Sequence, residues 1–390
     1  MKIAIISSEY PPFGGGIGTY VSRLSHGLSK KKHSVIVLTR NNHHLGKDEI
    51  IHDGDIEVHR IKFLPIFPFG NRLISSRIEQ IVKTIDPDII NVQYPAPMQI
   101  RSNAPIILTI HNALAGNLEE FSRGSGIPST VRMISPLLLR YEKRCISHYD
   151  NLASVSEIVA DQISKAYEIP PSRIRLIGNG IDVERFTPDQ SNGSGKYILY
   201  SGRIDRTKRV DLLIRAFGDI QQRNPGNRLT IVGRGPLESN LKTLAKRLGI
   251  EDSVEFRGWL TGDQYVEALR GAMIYVLPSS AEGLSTTLLE AMSVGLPAIA
   301  SDIPNNRAII KDTVEGILFK CGDYKDLADR LAELLSDPGM RGRMGRNARK
   351  TCISRFDWKG VIDRFEALAE ELAFENERQN DKSLPCDLNS

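Results

Sequence analysis

The sequence predicts an α/β protein of two doubly wound domains, each built on a parallel sheet. Three observations carry this reading. Short apolar runs alternate with amphipathic stretches from end to end, a polar segment without periodicity breaks the alternation near the middle, and 390 residues suffice for two or three average domains.

The first half places apolar runs at 2–7, 34–39, 56–60, 88–92, 105–110, 151–155 and 173–177. Runs this short, bounded by turn residues, read as strands covered on both faces. Amphipathic stretches separate them; within 19–29, Tyr20, Leu24 and Leu28 recur at every fourth position, the spacing of one helical face. Segment 188–196, PDQSNGSGK, is polar and rich in Gly and Ser and reads as a linker. The alternation resumes with strand candidates at 197–201, 229–232, 254–257, 273–277 and 298–301, and with helix candidates at 210–223, 237–248, 263–270 and 286–294. A last amphipathic pattern, 358–374, aligns Val361, Ile362, Phe365, Leu368 and Leu372 and lies beyond the last of these strands, so it is expected to pack back across the junction. The polar stretch from Asn376 to Ser390 reads as frayed.

Composition excludes several classes. An apolar content of 41% is too high for a disordered chain. The net charge of +4 is too small for a dedicated nucleic-acid binder of this size, which needs a concentrated basic face. Cys145, Cys321, Cys352 and Cys386 lack the spacing of a disulfide framework or a zinc site, and no Asp-x-Asp motif sits between apolar strands, so no metal ligand is assigned. Asp53-Gly54-Asp55 has the right spacing but reads as a turn. The apolar start ends at Ser7, too early for a signal peptide or a membrane span, and the chain reads as cytoplasmic. Residues 1–180 hold 21 Lys and Arg against 16 Asp and Glu; Arg123, Arg132, Arg140, Lys143 and Arg144 outweigh Glu119, Glu120 and Glu142 along one expected helix and its approach. A solvated helix face is the preferred reading of that run; the alternative is a face for an anionic surface, either an acceptor or the inner face of a membrane in peripheral contact. The segment 62–77, KFLPIFPFGNRLISSR, has two readings of its own, of which the lining of an acceptor cleft is preferred over docking on anionic lipid.

Three segments carry chemistry. Gly14-Gly15-Gly16-Ile17-Gly18-Thr19 follows the first strand and opens a helix, where free amides and close backbone approach suit a phosphate; a structural turn fits equally, because Thr19 stands where the dinucleotide fingerprint has its third glycine. Arg203 and Lys208, in SGRIDRTKR after the first strand of the second domain, could together neutralise a diphosphate; an exposed basic loop is the alternative. The segment from Glu282 to Met292, EGLSTTLLEAM, follows another strand. Ser285 is its N-cap candidate, the amides of Thr286, Thr287 and Leu288 form an anion site, and Glu282 and Glu290 are carboxylates suited to sugar and ribose hydroxyls. Ligands of open parallel sheets bind at the carboxyl ends of the strands, so a site between the two domains is expected.

With these motifs in hand the sequence resembles the family-4 retaining glycosyltransferases of the GT-B fold. The likeness runs through EYPPFGGGIGTY at residues 9–20, TIHN at 109–112, SVSE at 154–157, NGID at 179–182, SGRIDRTKRVD at 201–211, the two glutamates Glu282 and Glu290, and the Phe356-Asp357-Trp358 that opens the last helix. These motifs, in the family's order, cover nearly the whole chain. The sequence departs from the family at Ala308, where many members carry a glutamate.

The resemblance implies two facing Rossmann-like domains with the active site between them: an acceptor-side domain at 1–187, a donor-binding domain at 196–355, a crossover helix at 356–378 returning to the first domain, and a disordered tail at 379–390. It implies transfer of a hexose-type sugar, with retention, from a UDP- or GDP-sugar such as GDP-mannose to a glycan, lipid-linked or small-molecule acceptor, as in polysaccharide or glycolipid biosynthesis. Arg203 and Lys208 would bind the diphosphate, Glu290 the ribose, and Glu282, within Gly283, Leu284 and Ser285, the transferred sugar. Gly15 and Gly16 would border the diphosphate and acceptor, and His111 would contact the donor sugar, so that His111, Glu282, Arg203 and Lys208 form the catalytic set. No cofactor is required beyond the nucleotide diphosphate sugar itself. A dinucleotide oxidoreductase, a sugar-nucleotide epimerase and a non-catalytic nucleotide-sugar-binding protein are the competing readings.

Overall fold

The structure, a computed structural model, describes residues 1–12, 16–41, 48–62, 70–94, 99–112, 114, 129–189, 195–223 and 225–383. Two compact units emerge. One comprises Met1–Gly180 and Trp358–Ser390, the other Ile181–Asp357.

The first unit is built on eight strands: β1 (Lys2–Ser7), β2 (Ser34–Arg40), β3 (Glu49–Asp53), β4 (Ile56–Ile61), β5 (Ile89–Tyr94), β6 (Ile106–Ile110), β7 (Asn151–Ser154) and β8 (Ile174–Leu176). Their order is β3-β4-β2-β1-β5-β6-β7-β8, parallel throughout except for β3, which pairs antiparallel with β4. The sequence reading lacks β3. It is a half-exposed edge strand, and the Asp53-Gly54-Asp55 turn joins it to β4, with Gly54 at φ +62°.

Alternate residues of each strand feed opposite faces, as the pleat requires. Ile3, Ile5, Val35, Val37, Ile89, Ile107 and Ala153 pack against α1 (Gly16–Lys30) and the C-terminal helix Trp358–Ser383. Ala4, Ile6, Leu38, Ile90, Val92 and Leu108 pack against α2 (Gly70–Ile85), α3 (Ser129–Ile146) and α4 (Glu157–Tyr167). The C-terminal helix contributes Val361, Ile362, Phe365, Leu368, Ala369 and Leu372 to the first of these cores, and Lys31 Nζ lies 2.6 Å from Asp363 beside it. Its helical backbone runs to Ser383, beyond the end expected at 378. Phe365 is fully buried beside β1 and α1. Phe365→Ala is expected to destabilise this unit by about 3–5 kcal/mol, read as a lower denaturation midpoint with unchanged slope.

The second unit has six parallel strands, β9 (Tyr197–Ser201), β10 (Leu229–Val232), β11 (Val254–Gly258), β12 (Ala272–Leu277), β13 (Ala298–Ser301) and β14 (Gly316–Phe319). Their order is β11-β10-β9-β12-β13-β14, so the chain reverses its direction of winding between β9 and β12. One face carries α5 (Val210–Arg223), α6 (Glu238–Arg247) and α10 (Tyr324–Ser336) over Ile198, Tyr200, Ile231, Ile274 and Val276. The other carries α7 (Gly262–Arg270), α8 (Thr286–Ser293) and α11 (Pro338–Arg355) over Leu199, Tyr275, Leu277, Ala298 and Ala300. A short α9 (Pro304–Arg307) follows β13, and the C-terminal helix of the first unit is α12.

The division at Gly180 and Ile181 precedes the linker expected at 188–196. Ile181, Val183 and Phe186 are buried in the second unit's core, and the Ile181 amide donates to the Phe356 carbonyl at 2.7 Å, so this stretch already belongs to that unit. Residues 190–194 of the expected linker lie outside the described residues.

The basic run on α3 also needs correction. Arg140 and Arg144 are exposed and Lys143 pairs with Glu168 at 2.7 Å, but Glu142 is buried. Its carboxylate accepts hydrogen bonds from the Tyr94 hydroxyl at 2.6 Å, from the Tyr167 hydroxyl and from the Leu114 amide at 3.0 Å. It is an internal anchor and does not belong to a solvated face. Arg123 and residues 63–69 lie outside the described residues.

Candidate active site

In the second unit the strand-end loops meet where the winding reverses, the place at which open α/β sheets bind ligands. The loop after β9 carries Arg203 and Lys208, and the loop after β12 carries Glu282. Thr207 accepts at its carbonyl from the Ser280 amide at 2.8 Å, which ties the two loops together. Lys208 Nζ donates to both Glu282 oxygens at 2.8 Å, and the Ser279 hydroxyl donates to Glu282 Oε1 at 2.6 Å. The side chains of Lys208 and Glu282 are only 19% and 7% exposed, so this charged pair is largely withdrawn from water.

Asp205 organises the β9 loop. It accepts from the Thr207 hydroxyl at 2.6 Å, the Thr207 amide at 2.9 Å and the Lys208 amide at 3.2 Å. Burial alone would raise its carboxyl, but these hydrogen bonds and the Arg203 guanidinium hold it below the usual carboxylate range. Arg203 is the exposed member of the group, its guanidinium 3.4 Å from Asp205. The neighbouring loop after β10 presses closely on this one. A Cβ on Gly233, at φ +135°, would lie 1.8 Å from the Gly202 carbonyl oxygen, so only glycine fits there.

Glu290, on α8, sits on a separate polar network. The Tyr265 hydroxyl donates to its Oε2 at 2.7 Å and lies 3.0 Å from the Ser201 hydroxyl. Burial raises the Glu290 carboxyl to about 7, against which the Tyr265 hydrogen bond and the Arg185 charge pull it down. Tyr265 in turn is pushed up by burial and by the Glu290 charge.

At the start of α8, Ser285 is the N-cap and accepts from the Leu288 amide at 3.4 Å. The Leu288 side chain is fully buried in the core, so neither its side chain nor its amide faces a ligand freely. The Thr287 hydroxyl accepts from Tyr275 at 2.9 Å, while Thr286 is exposed at the helix start. Leu284 packs against the core, and Gly283 has open space where a Cβ would stand while its carbonyl accepts from Asn305 at 3.0 Å. Ala308, the departure from the family pattern, closes α9, and its carbonyl accepts from Arg355 at 2.9 Å.

His111 and Gly16 belong to the first unit. Gly16 is the first residue of α1 and faces open space, whereas the Gly18 amide is taken by the Glu9 carboxylate at 3.3 Å. Gly14 and Gly15 lie outside the described residues. His111 follows β6, its Nε2 2.7 Å from Gln93 Oε1 and its ring edge-on to Tyr20, with centroids 4.7 Å apart. Burial pushes its imidazole down to about 3, so it is neutral at physiological pH.

Sequence reasoning missed Arg185, Tyr265, Gln93 and Asn91. Tyr265 and Arg185 carry no motif. Asn91 and Gln93 did leave a signal, since they are polar residues at period two inside an otherwise apolar strand. Among the described residues, no helix is long and apolar enough to cross a membrane.

Comparison with known proteins accounts for nearly all of this chain. Residues 14–185 match the model for Glycosyltransferase Family 4, and residues 184–351 match that for Glycosyl transferases group 1. The chain is 25% identical to a D-inositol 3-phosphate glycosyltransferase from Saccharomonospora viridis, covering 93% of this chain and 92% of that protein. Its fold is similar to that of the sucrose-phosphate synthase from Thermosynechococcus elongatus, with a TM-score of 0.79 at 20% identity over 96% of this chain and 99% of that one. It is also similar to that of the Anabaena protein HepE in complex with UDP, with a TM-score of 0.72 at 16% identity over 96% of this chain and 100% of that one. These matches set aside the oxidoreductase, the epimerase and the mere binding protein. With two Rossmann-like α/β domains and both halves matched in sequence, the chain is an enzyme that belongs to the family-4 glycosyltransferases.

Proposed function

We propose that the protein transfers a hexose-type sugar from a UDP- or GDP-sugar to a glycan, lipid-linked or small-molecule acceptor, with retention of anomeric configuration. The observation that carries this reading is the Lys208–Glu282 pair at the reversal between β9 and β12, with Glu290 on the adjoining α8. A diphosphate needs cations, and sugar and ribose hydroxyls need carboxylate acceptors; this corner of the unit offers both. The UDP bound to the Anabaena protein of similar fold supports a nucleotide donor.

In this reading the donor diphosphate takes over the Lys208 ammonium and draws in the exposed Arg203. Glu282 then turns its oxygens to hydroxyls of the transferred sugar, and Glu290 accepts from the ribose. Stabilisation of the charge growing on the leaving diphosphate does most of the catalysis, supplied by Arg203, Lys208 and the Thr286 amide at the start of α8. The neutral His111 serves the sugar as a hydrogen-bonding partner. The leaving phosphate itself accepts the acceptor's proton on the same face of the sugar, which gives retention.

A thermal-shift panel of UDP-, GDP- and ADP-sugars tests the donor. The true donor, at about a hundred times its Kd, is expected to add about 2.7 kcal/mol, or several degrees in Tm. Absence of any shift with every uridine and guanosine donor would refute the proposal.

A further inference from the structure

Beneath His111 runs a fully buried line of side chains with a defined polarity. Asn91 and Gln93 on β5 lie beside Ile107 and Thr109 on β6, with His111 directly after that strand, and Asn91, Gln93 and Thr109 are at most 1% exposed. Asn91 Nδ2 lies 3.1 Å from the Ile107 carbonyl oxygen and 2.7 Å from Thr109 Oγ1. Gln93 Nε2 donates to Asn91 Oδ1, and Gln93 Oε1 lies 2.7 Å from His111 Nε2.

The backbone carbonyl of Ile107 can only accept. The Asn91 atom facing it is therefore the NH2 group, and Asn91 turns its oxygen toward Gln93. That oxygen also can only accept, so Gln93 presents its NH2 to Asn91 and its oxygen to His111. A chain of forced choices thus begins at the main chain and ends at the imidazole, independent of how either amide is drawn. We infer that Asn91 and Gln93 are positioning residues that fix His111 as the Nε2–H tautomer and leave Nδ1 as a bare hydrogen-bond acceptor for a donor-sugar hydroxyl.

The low proton affinity of the ring agrees, because a neutral imidazole offers one acceptor nitrogen and an imidazolium none. Tyr20 fixes the remaining freedom: the two rings meet at 86°, which sets the plane in which Nδ1 lies. A hydrophobic pair at positions 91 and 93 would keep the strand buried without controlling the tautomer. Two fully buried amides are needed only if the orientation of the ring matters. The role of Nδ1 toward a sugar hydroxyl rests on the donor reading above; the tautomer does not.

Long-range proton–nitrogen NMR correlations on the full-length labelled protein read the tautomer directly, with His111→Gln assigning the resonances. The wild type is expected to show a single Nε2–H form. Gln93→Leu is expected to give a mixture of tautomers and to lower kcat roughly five- to tenfold with little change in donor KM. Gln93→Glu, protonated at the oxygen that faces Asn91, donates there and still accepts from Nε2–H, and is expected to restore the single form. An Nδ1–H form in the wild type, or an unchanged Nε2–H form in folded Gln93→Leu, would overturn the inference. The tautomer is read without turnover, so these outcomes stand apart from the success or failure of the donor assignment.

Discussion

Lys208→Ala is expected to lower kcat/KM for the sugar donor by more than tenfold and to destabilise the second unit at the same time. Two effects combine in one side chain. The ammonium is the least exposed cation of the β9 loop's Arg203–Lys208 pair, so its attraction to a diphosphate is weakly screened. It is also the counter-charge of Glu282, which in the alanine variant keeps the Ser279 hydroxyl as its partner among the described residues. Breaking such a pair by removing one partner typically costs about 3–5 kcal/mol, since a buried charge is left behind. The two effects separate in a double variant. Adding Glu282→Gln to Lys208→Ala removes the stranded charge, so part of the lost Tm returns while the activity does not. Normal turnover in Lys208→Ala would remove Lys208 from the donor site, whatever its effect on stability.

Glu290→Ala is expected to weaken donor binding by more than tenfold, with a pH signature of its own. The wild-type carboxyl titrates at about 7 because burial disfavours its charge. Only the ionised form accepts from two ribose hydroxyls, so donor affinity in the wild type falls by roughly tenfold between about pH 8 and about pH 6. Stability of the ligand-free protein moves the other way. The folded-state pKa lies above the ordinary carboxylate value, so the folded protein binds the proton more tightly than the unfolded chain. The ligand-free protein is then stabilised as pH falls through 7 toward the usual carboxylate range. Titration calorimetry across this range, with denaturation curves alongside, measures both slopes. In Glu290→Ala both are expected to flatten; a pH-dependent donor affinity that survives the substitution would place the titrating group elsewhere.

Much of this arrangement is legible in the sequence because two signals are strong. Strands covered on both faces must be almost wholly apolar, and β1, β5, β9 and β12 stand out as short runs between polar loops. Motifs at strand ends are equally visible, since Arg203, Lys208 and Glu282 lie in the loops that follow such runs, and Glu290 in the helix that comes next. What escapes has physical reasons. β3 is half exposed and mixes Glu49, His52 and Asp53 with two isoleucines, so it lacks an apolar run. Helix α11 opens with Pro338-Gly339 and repeats Gly and Arg, a composition that suggests a loop until Asp337 is seen capping the Met340 amide. Tyr265 meets Glu290 only because α7 and α8 pack on the same face of the sheet, a pairing that sequence spacing does not encode.

The return of α12 to the first unit has a consequence for the order in which a new chain can mature. The segments Met1–Gly180 and Trp358–Ser390 form one body, with all of Ile181–Asp357 between them. At about 5–20 residues per second, a ribosome needs roughly 9–35 s to translate that intervening stretch. During this interval the emerged β1, β2 and α1 lack Phe365 and Leu368, which cover them in the finished molecule. The later-made unit is contiguous and has its whole core before α12 emerges. Of the two units, the one begun first is therefore the last to be sealed, and a chaperone that shields nascent apolar surface has its longest task on the face of that sheet which α12 covers.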